Sequence, residues 1–344
     1  MFQPTAIDLF CGAGGLSLGL KQAGFKVLAA VDLDPLAIKS FKANHRKTMV
    51  ILDDVRRVPA SSLRRELGLR SGELDLLAGC PPCQSFSTLK TLNGQRRVRD
   101  KNSKDLLFEI LRFVRALRPK AVMVENVPRL ARDPRIRVLS RALRQLGYVC
   151  ERKVLNAVNY GVPQRRKRMI LIAVKKRFGK PTFAAPWKAG RTVREAISFL
   201  PAPRNSPDPL HNIREYRSKE IRDLIARIPH DGGGRASLSD EEQLECHKRC
   251  DGFRDIYGRM SWDSEAPTIT GGCVNPSKGR FLHPKSNRCV TLREAALLQG
   301  FPRGYTIALD KGKYEAARLI GNALPPPFIR RHSLSIKATL SSAQ

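Results

Sequence analysis

The chain has 344 residues, 42% of them hydrophobic, and its 63 Lys and Arg against 31 Asp and Glu give a formal net charge of +32. That length suits one large domain with a smaller one appended, and so large a positive excess calls for a polyanionic partner, with nucleic acid ahead of an anionic membrane surface. No apolar run approaches the roughly 18 residues of a membrane span, no basic-then-apolar leader opens the chain, and its eight cysteines do not describe a disulfide framework. A cytoplasmic protein with reduced thiols and no membrane association is expected.

Up to about Lys175, short apolar runs alternate with helical patterns, as parallel α/β units do. The expected strands are 6–10, 27–31, 49–52, 74–78, 121–125, 149–155 and 169–174. The first strand turns into the first helix through Asp8-Leu9-Phe10-Cys11-Gly12-Ala13-Gly14-Gly15-Leu16. Glycines there let backbone approach a ligand and let the helix start pack on the sheet. A nicotinamide fingerprint would want a third glycine where Ser17 stands, so that cofactor is disfavoured. The second strand ends at Asp32, where a carboxylate can accept from both hydroxyls of a ribose. The third ends at Asp53-Asp54-Val55, where a carboxylate can accept from an adenine amino group. Taken singly, each aspartate is also readable as a helix cap or loop residue.

The fourth strand runs into Gly79-Cys80-Pro81-Pro82-Cys83-Gln84. The prolines fix φ and remove two amide donors, presenting Cys83 on a rigid turn at a strand C-terminal end, where open α/β sheets hold ligands. A thiolate there is a good nucleophile once nearby positive charge lowers its pKa. Cys80-x-x-Cys83 is also the spacing of a redox or zinc pair, yet no second such pair follows at ribbon spacing. Cys246, His247 and Cys250 are further conceivable ligands, but no metal is expected.

The stretch 106–117 has helical apolar spacing, with Ser103-Lys104-Asp105 as capping residues before it and Pro119 ending it. The fifth strand then closes on Glu125-Asn126-Val127, which brings Glu125 alongside the cysteine turn. Taken alone, Cys83 reads equally as a structural thiol and Glu125 as an ion-pair partner. Spacing leads only to a cofactor-binding α/β enzyme with a poised cysteine. After Lys175, residues 176–265 are rich in Pro, Gly, Arg and Asp and weakly periodic, which indicates a second, loop-rich domain. Helical patterning returns at 291–298 and 314–323, the latter stopped by Pro325-Pro326-Pro327.

In order along the chain, Phe10-x-Gly12-x-Gly14-Gly15, Pro81-Pro82-Cys83-Gln84, Glu125-Asn126-Val127, Gln164-Arg165-Arg166-Lys167-Arg168 and Gly321-Asn322-Ala323-Leu324-Pro325-Pro326 resemble the signature motifs of the cytosine-5 DNA methyltransferase family, in its bacterial modification-methylase form. The resemblance covers nearly the whole chain. It implies an α/β fold: a Rossmann-like S-adenosylmethionine-dependent methyltransferase sheet with helices on both faces, plus a smaller target-recognition domain. The implied domains are 1–180 for catalysis and cofactor, 181–290 for target recognition, and 291–344 returning to the catalytic domain.

The resemblance also implies the chemistry. Carbon 5 of cytosine is too weak a nucleophile to take a methyl group unaided, and addition of a thiolate at carbon 6 makes the ring enamine-like. Cys83 would attack, Glu125 would contact ring nitrogen 3 and the amino group, and Arg166 and Arg168 would contact the base or the intermediate. The cofactor would be S-adenosyl-L-methionine. Phe10 and Leu16 would lie near it, Gly12 and Gly14 would make room for its methionine part, Asp32 would hold the ribose, and Asp54 and Val55 the adenine. Asn322 and Leu324 would join them from the C-terminal segment. Cys80 departs from the family, which usually has a small glycine-like residue there; its thiol could crowd the methionine end or, being small, be tolerated.

The partner implied is double-stranded DNA, from which the target base must be flipped. Thr88 to Lys104 resembles the loop that closes over the flipped base, with Gln84, Ser87, Arg96, Arg97 and Arg99 at the DNA. In the recognition region Thr268, Gly271 and Gly272 would approach a groove, flanked by Arg259, Asn275, Lys278 and Arg280 to read base edges or grip phosphate. A monomer acting on the nucleoid, with a cognate restriction endonuclease as functional partner, fits the size. Two alternatives remain at this point: a transfer-RNA cytosine-5 methyltransferase, although its Cys-Phe-Thr run is missing, and a catalytically silent DNA-binding protein.

Overall fold

A computed structural model describes residues 3–82, 106–187, 190–243 and 255–342. Cys83, Gln84, Ser87, Arg96, Arg97 and Arg99 lie outside the described residues, as do Ser103-Lys104-Asp105 and Cys246, His247 and Cys250. The chain forms two compact units: Met1–Asn156 with Lys167–Pro186 and Pro326–Gln344, and Ala157–Arg166 with Trp187–Pro325.

The first unit is α/β. Its strands are β1 (Thr5–Leu9), β2 (Lys26–Asp32), β3 (Met49–Leu52), β4 (Leu76–Gly79), β5 (Ala121–Asn126), β6 (Tyr148–Asn156) and β7 (Lys167–Lys175). They make one seven-stranded sheet in the order β3-β2-β1-β4-β5-β7-β6. β1 to β5 pair in parallel, so their carboxyl ends share one edge. The order reverses between β1 and β4, which opens the crevice where such sheets bind ligands.

All seven expected strands form, but β7 runs antiparallel between β5 and β6. The connection Ala157–Arg166 holds only a short 3-10 turn, whereas a parallel return needs a crossover of a dozen or more residues, typically a helix. β6 therefore folds straight back onto β7.

Helices α1 (Gly15–Gln22), α2 (Pro35–Asn44), α3 (Ala60–Glu66), α4 (Leu106–Leu117) and α5 (Pro134–Gln145) cover the sheet. Ala29 and Val31 of β2 pack into a core with Leu63 of α3, Ile110 and Phe113 of α4 and Leu139 of α5. Ala30 points the other way, onto Ile38 and Phe41 of α2. Strands buried on both faces read as continuous apolar runs, and β4 and β5 are buried at every residue.

The prolines after residue 324 do more than stop a helix. Pro326 and Pro327 open another, Pro326–Ser341, because the first helical turn needs no proline amide. That helix packs tightly on α1: a Cβ added at Gly19 would lie 2.6 Å from the Ile329 Cβ.

The second unit is loop-rich, with α6 (Val193–Ile197), α7 (Lys219–Arg227), α8 (Leu292–Leu298) and α9 (Gly312–Asn322), after which Pro326–Ser341 is α10. Thr291 and Glu294 close a capping box at the start of α8. Arg259 holds this unit together from inside. It is fully buried, and its guanidinium donates to the carbonyls of Ile225, Ile228, His283 and Ser286 and to Asn287 Oδ1. This corrects the expectation that Arg259 reads base edges or grips phosphate, since its donors are spent on four carbonyls and Asn287. Among the described residues no helix is long and apolar enough to cross a membrane.

Candidate active site

The carboxyl ends of β1, β2 and β3 supply one half of the site. Beyond β1 the backbone turns sharply: Phe10 has φ +63°, Gly12 +54° and Gly14 +95°. Gly14 caps α1 in the left-handed region that glycine enters freely. A Cβ at Gly12 would meet nothing within 4 Å, so there is open space over this turn. Asp32 clamps it from the end of β2, accepting from the Gly12 amide at 2.7 Å and from the Asp34 amide at 2.9 Å. Burial pushes the Asp32 carboxyl above its usual range.

The other expected cofactor residues fall as follows. Leu16 is buried, and Phe10 packs partly against the sheet core. Asp54 accepts from the Arg56 amide and guanidinium, and Arg56 holds its carboxyl below the usual range. The Val55 side chain belongs to the main core. Sequence reasoning passed over Leu33, whose side chain stands 64% exposed directly after Asp32. An apolar residue directly after the strand-ending acid, between Asp32 and Asp34, was the available signal. Asn322, exposed at the end of α9, and buried Leu324 belong to the second unit.

The ends of β4 and β5 supply the other half. Glu125 is 1% exposed. Its Oε1 pairs with Arg168 Nε at 3.0 Å, and its Oε2 accepts from the Cys80 thiol at 2.9 Å. The antiparallel sense of β7 explains the first contact. Met169 pairs with Asn126, so Arg168, one residue earlier, falls at the carboxyl end of β5. Asn126 Nδ2 donates to the Pro81 carbonyl at 2.9 Å and so fixes the backbone just beyond β4. No role had been read for Asn126 from sequence.

In the second unit, Gln164, Arg165 and Arg166 lie beside 266–269. Gln164 bridges to Ala266, and Arg165 N donates to the Ala266 carbonyl at 2.9 Å. Thr268 Oγ1 donates to the Arg165 carbonyl at 2.6 Å. Arg166 is buried, and its guanidinium donates to the carbonyls of Ile269 and Gly321, each at 2.8 Å. Gly321 in turn lies so close to the loop that a Cβ there would be 2.2 Å from Gly271 N. Gly272 follows, packed under Lys278. The alternation of buried Gln164, exposed Arg165 and buried Arg166 is that of a strand.

A seven-stranded sheet with one reversed strand, a glycine turn clamped by an acid, and a buried glutamate–arginine pair beside Cys80 define an α/β fold with its charged groups gathered at strand carboxyl ends. The family model of C-5 cytosine-specific DNA methylases matches residues 5–338. Type II methylase M.HgiDII of Herpetosiphon aurantiacus is 36% identical over 98% of this chain and 96% of its own. Type II methyltransferase M.XorII of Xanthomonas oryzae is 32% identical over 96% of this chain and 84% of its own. The crystal structure of a prophage-encoded DNA modification methyltransferase of E. coli superposes with a TM-score of 0.72 at 25% identity, covering 98% of this chain and 99% of that one. The chain belongs to the C-5 cytosine-specific DNA methylase family. It is an enzyme that methylates carbon 5 of cytosine in DNA.

Proposed function

We propose that the enzyme flips a cytosine from duplex DNA and adds Cys83 Sγ to its carbon 6. The observation that carries this reading is the buried Glu125–Arg168 pair at the end of β5, next to the Pro81 backbone that Asn126 pins two residues before Cys83 in the sequence. A carboxyl group held there is suited to meet ring nitrogen 3 and the amino group, which draws electron density from carbon 6 and favours thiolate addition. Arg168, charged beside Glu125, is suited to the base oxygen and to the charge that develops on addition. Loss of the carbon-5 proton after methylation then expels Cys83.

S-adenosyl-L-methionine is the methyl donor in this reading, and when bound it supplies an electrophilic methyl group. The open space at Gly12, the Asp32 carboxylate and exposed Leu33 fit its methionine part, ribose and adenine, with Phe10, Gly14, Leu16, Asp54 and Val55 around them. Asn322 and Leu324 follow the family pattern. Arg166 is better suited to holding the 269 and 321 backbones than to touching the base. The recognition function falls to the second unit, where Thr268, Gly271 and Gly272 form the loop tied to Gln164 and Arg165. The 88–104 segment supplies Arg96, Arg97 and Arg99, with Gln84 and Ser87 beside the base.

In this reading the protein is a cytoplasmic modification enzyme, monomeric on DNA and paired functionally with a restriction endonuclease; the bacterial Type II relatives support the modification role. Bisulfite sequencing of DNA from cells expressing this chain tests the reading. It should return one short sequence context protected at a defined cytosine. Unprotected DNA, or protection without sequence preference, contradicts a modification role.

A further inference from the structure

Cys80 stands three residues before the proposed nucleophile, and its thiol is turned toward β5. Glu125 is gripped at both oxygens: Arg168 Nε at 3.0 Å from Oε1 and Cys80 Sγ at 2.9 Å from Oε2. The last torsion of a glutamate is broad and roughly two-fold, so an ion pair on one oxygen leaves the carboxylate plane free to turn. A second contact on the other oxygen fixes it. We infer that Cys80 is a positioning residue that sets the orientation of the Glu125 carboxylate for the incoming cytosine. The inference rests on the reading of Glu125 given above.

The thiol's environment supports donation over attack. Burial, with the neighbouring Glu125 charge adding to it, pushes the Cys80 thiol well up, so it keeps its proton. An S–H is a weak donor. It can orient Oε2 before the cytosine arrives and yield it to the base without a large cost. The glycine-like residue that the family resemblance puts at this position offers no such donor. The thiol is directed at Glu125.

Steady-state kinetics of the full chain on duplex DNA, with labelled S-adenosylmethionine, test this. Cys80→Ala should lower kcat about tenfold, the scale of one lost hydrogen bond to a charged group. KM for DNA and for S-adenosylmethionine should stay within about twofold. Cys80→Ser restores a donor and should recover kcat to within about threefold of the parent. Glu125→Gln should abolish most activity, and adding Cys80→Ala to it should change nothing further. If Glu125→Gln keeps the parent rate, the reading of Glu125 fails. If Glu125→Gln is inactive but Cys80→Ala matches the parent kcat, or loses kcat without rescue by Cys80→Ser, the positioning role is overturned. A rise confined to KM for S-adenosylmethionine also overturns it, in favour of a cofactor contact.

Discussion

Asp8, at the end of β1, has no exposed surface and accepts from Ser17 Oγ at 2.7 Å through Oδ2. Burial raises its pKa from 3.8 to about 7, with the Asp32 charge adding to the rise. The folded state thus holds a proton that the unfolded state has released, and stability falls as pH climbs from about 4 to 7. Asp8→Asn removes that penalty. Its melting temperature should match the parent near pH 4 and exceed it at pH 8, with a gain of up to about 4 kcal/mol. An equal or lower melting temperature at pH 8 would show that Asp8 ionises freely. Nothing in the Asp8-Leu9-Phe10 motif signals a buried acid, just as nothing around Arg259 announces an arginine spent on core carbonyls. Sequence shows which groups are present, and burial is settled by segments far away in the chain.

At the scale of elements, α9 and the 270–271 loop meet at backbone distance. A Cβ at Gly321 would lie 2.2 Å from Gly271 N and from the Thr270 carbonyl carbon. Gly321→Ala must push the helix end off the loop and disturb the carbonyls that Arg166 holds. Denaturant unfolding should register a loss of about 2 kcal/mol or more, and an unchanged midpoint would contradict the close packing. The strands were legible because the buried parallel ones are near-continuous apolar runs with sharp ends. The reversal of β7 was not, since strand direction depends on what connects two strands and periodicity carries none of it. That reversal is what brings Arg168 to Glu125. α10 was missed because proline at a helix start looks like proline at a helix stop, and α7 because only Leu224 and Ile225 of its residues are buried.

At the scale of the molecule, a net charge of +32 prepares the chain for a polyanion but says nothing of the chemistry performed on it. The motifs gave that: those of Phe10, Cys83 and Glu125 come at or just after the carboxyl ends of β1, β4 and β5, and the parallel register gathers those ends at one edge. Spacing alone grouped Cys80 and Cys83 as a redox or metal pair, and the motifs named Cys83 as the attacking thiol without giving Cys80 a role. The orientation of Cys80 toward Glu125 supports a proton-holding donor there and leaves the proposed attack to Cys83. Duplex DNA carrying 5-fluorocytosine at the target tests this most directly, because fluorine cannot leave as a proton does and the adduct persists. Mass-spectrometric mapping of the trapped complex should find the base bonded to Cys83 and no adduct in Cys83→Ala. An adduct on Cys80, or methyl transfer surviving in Cys83→Ala, would contradict the account.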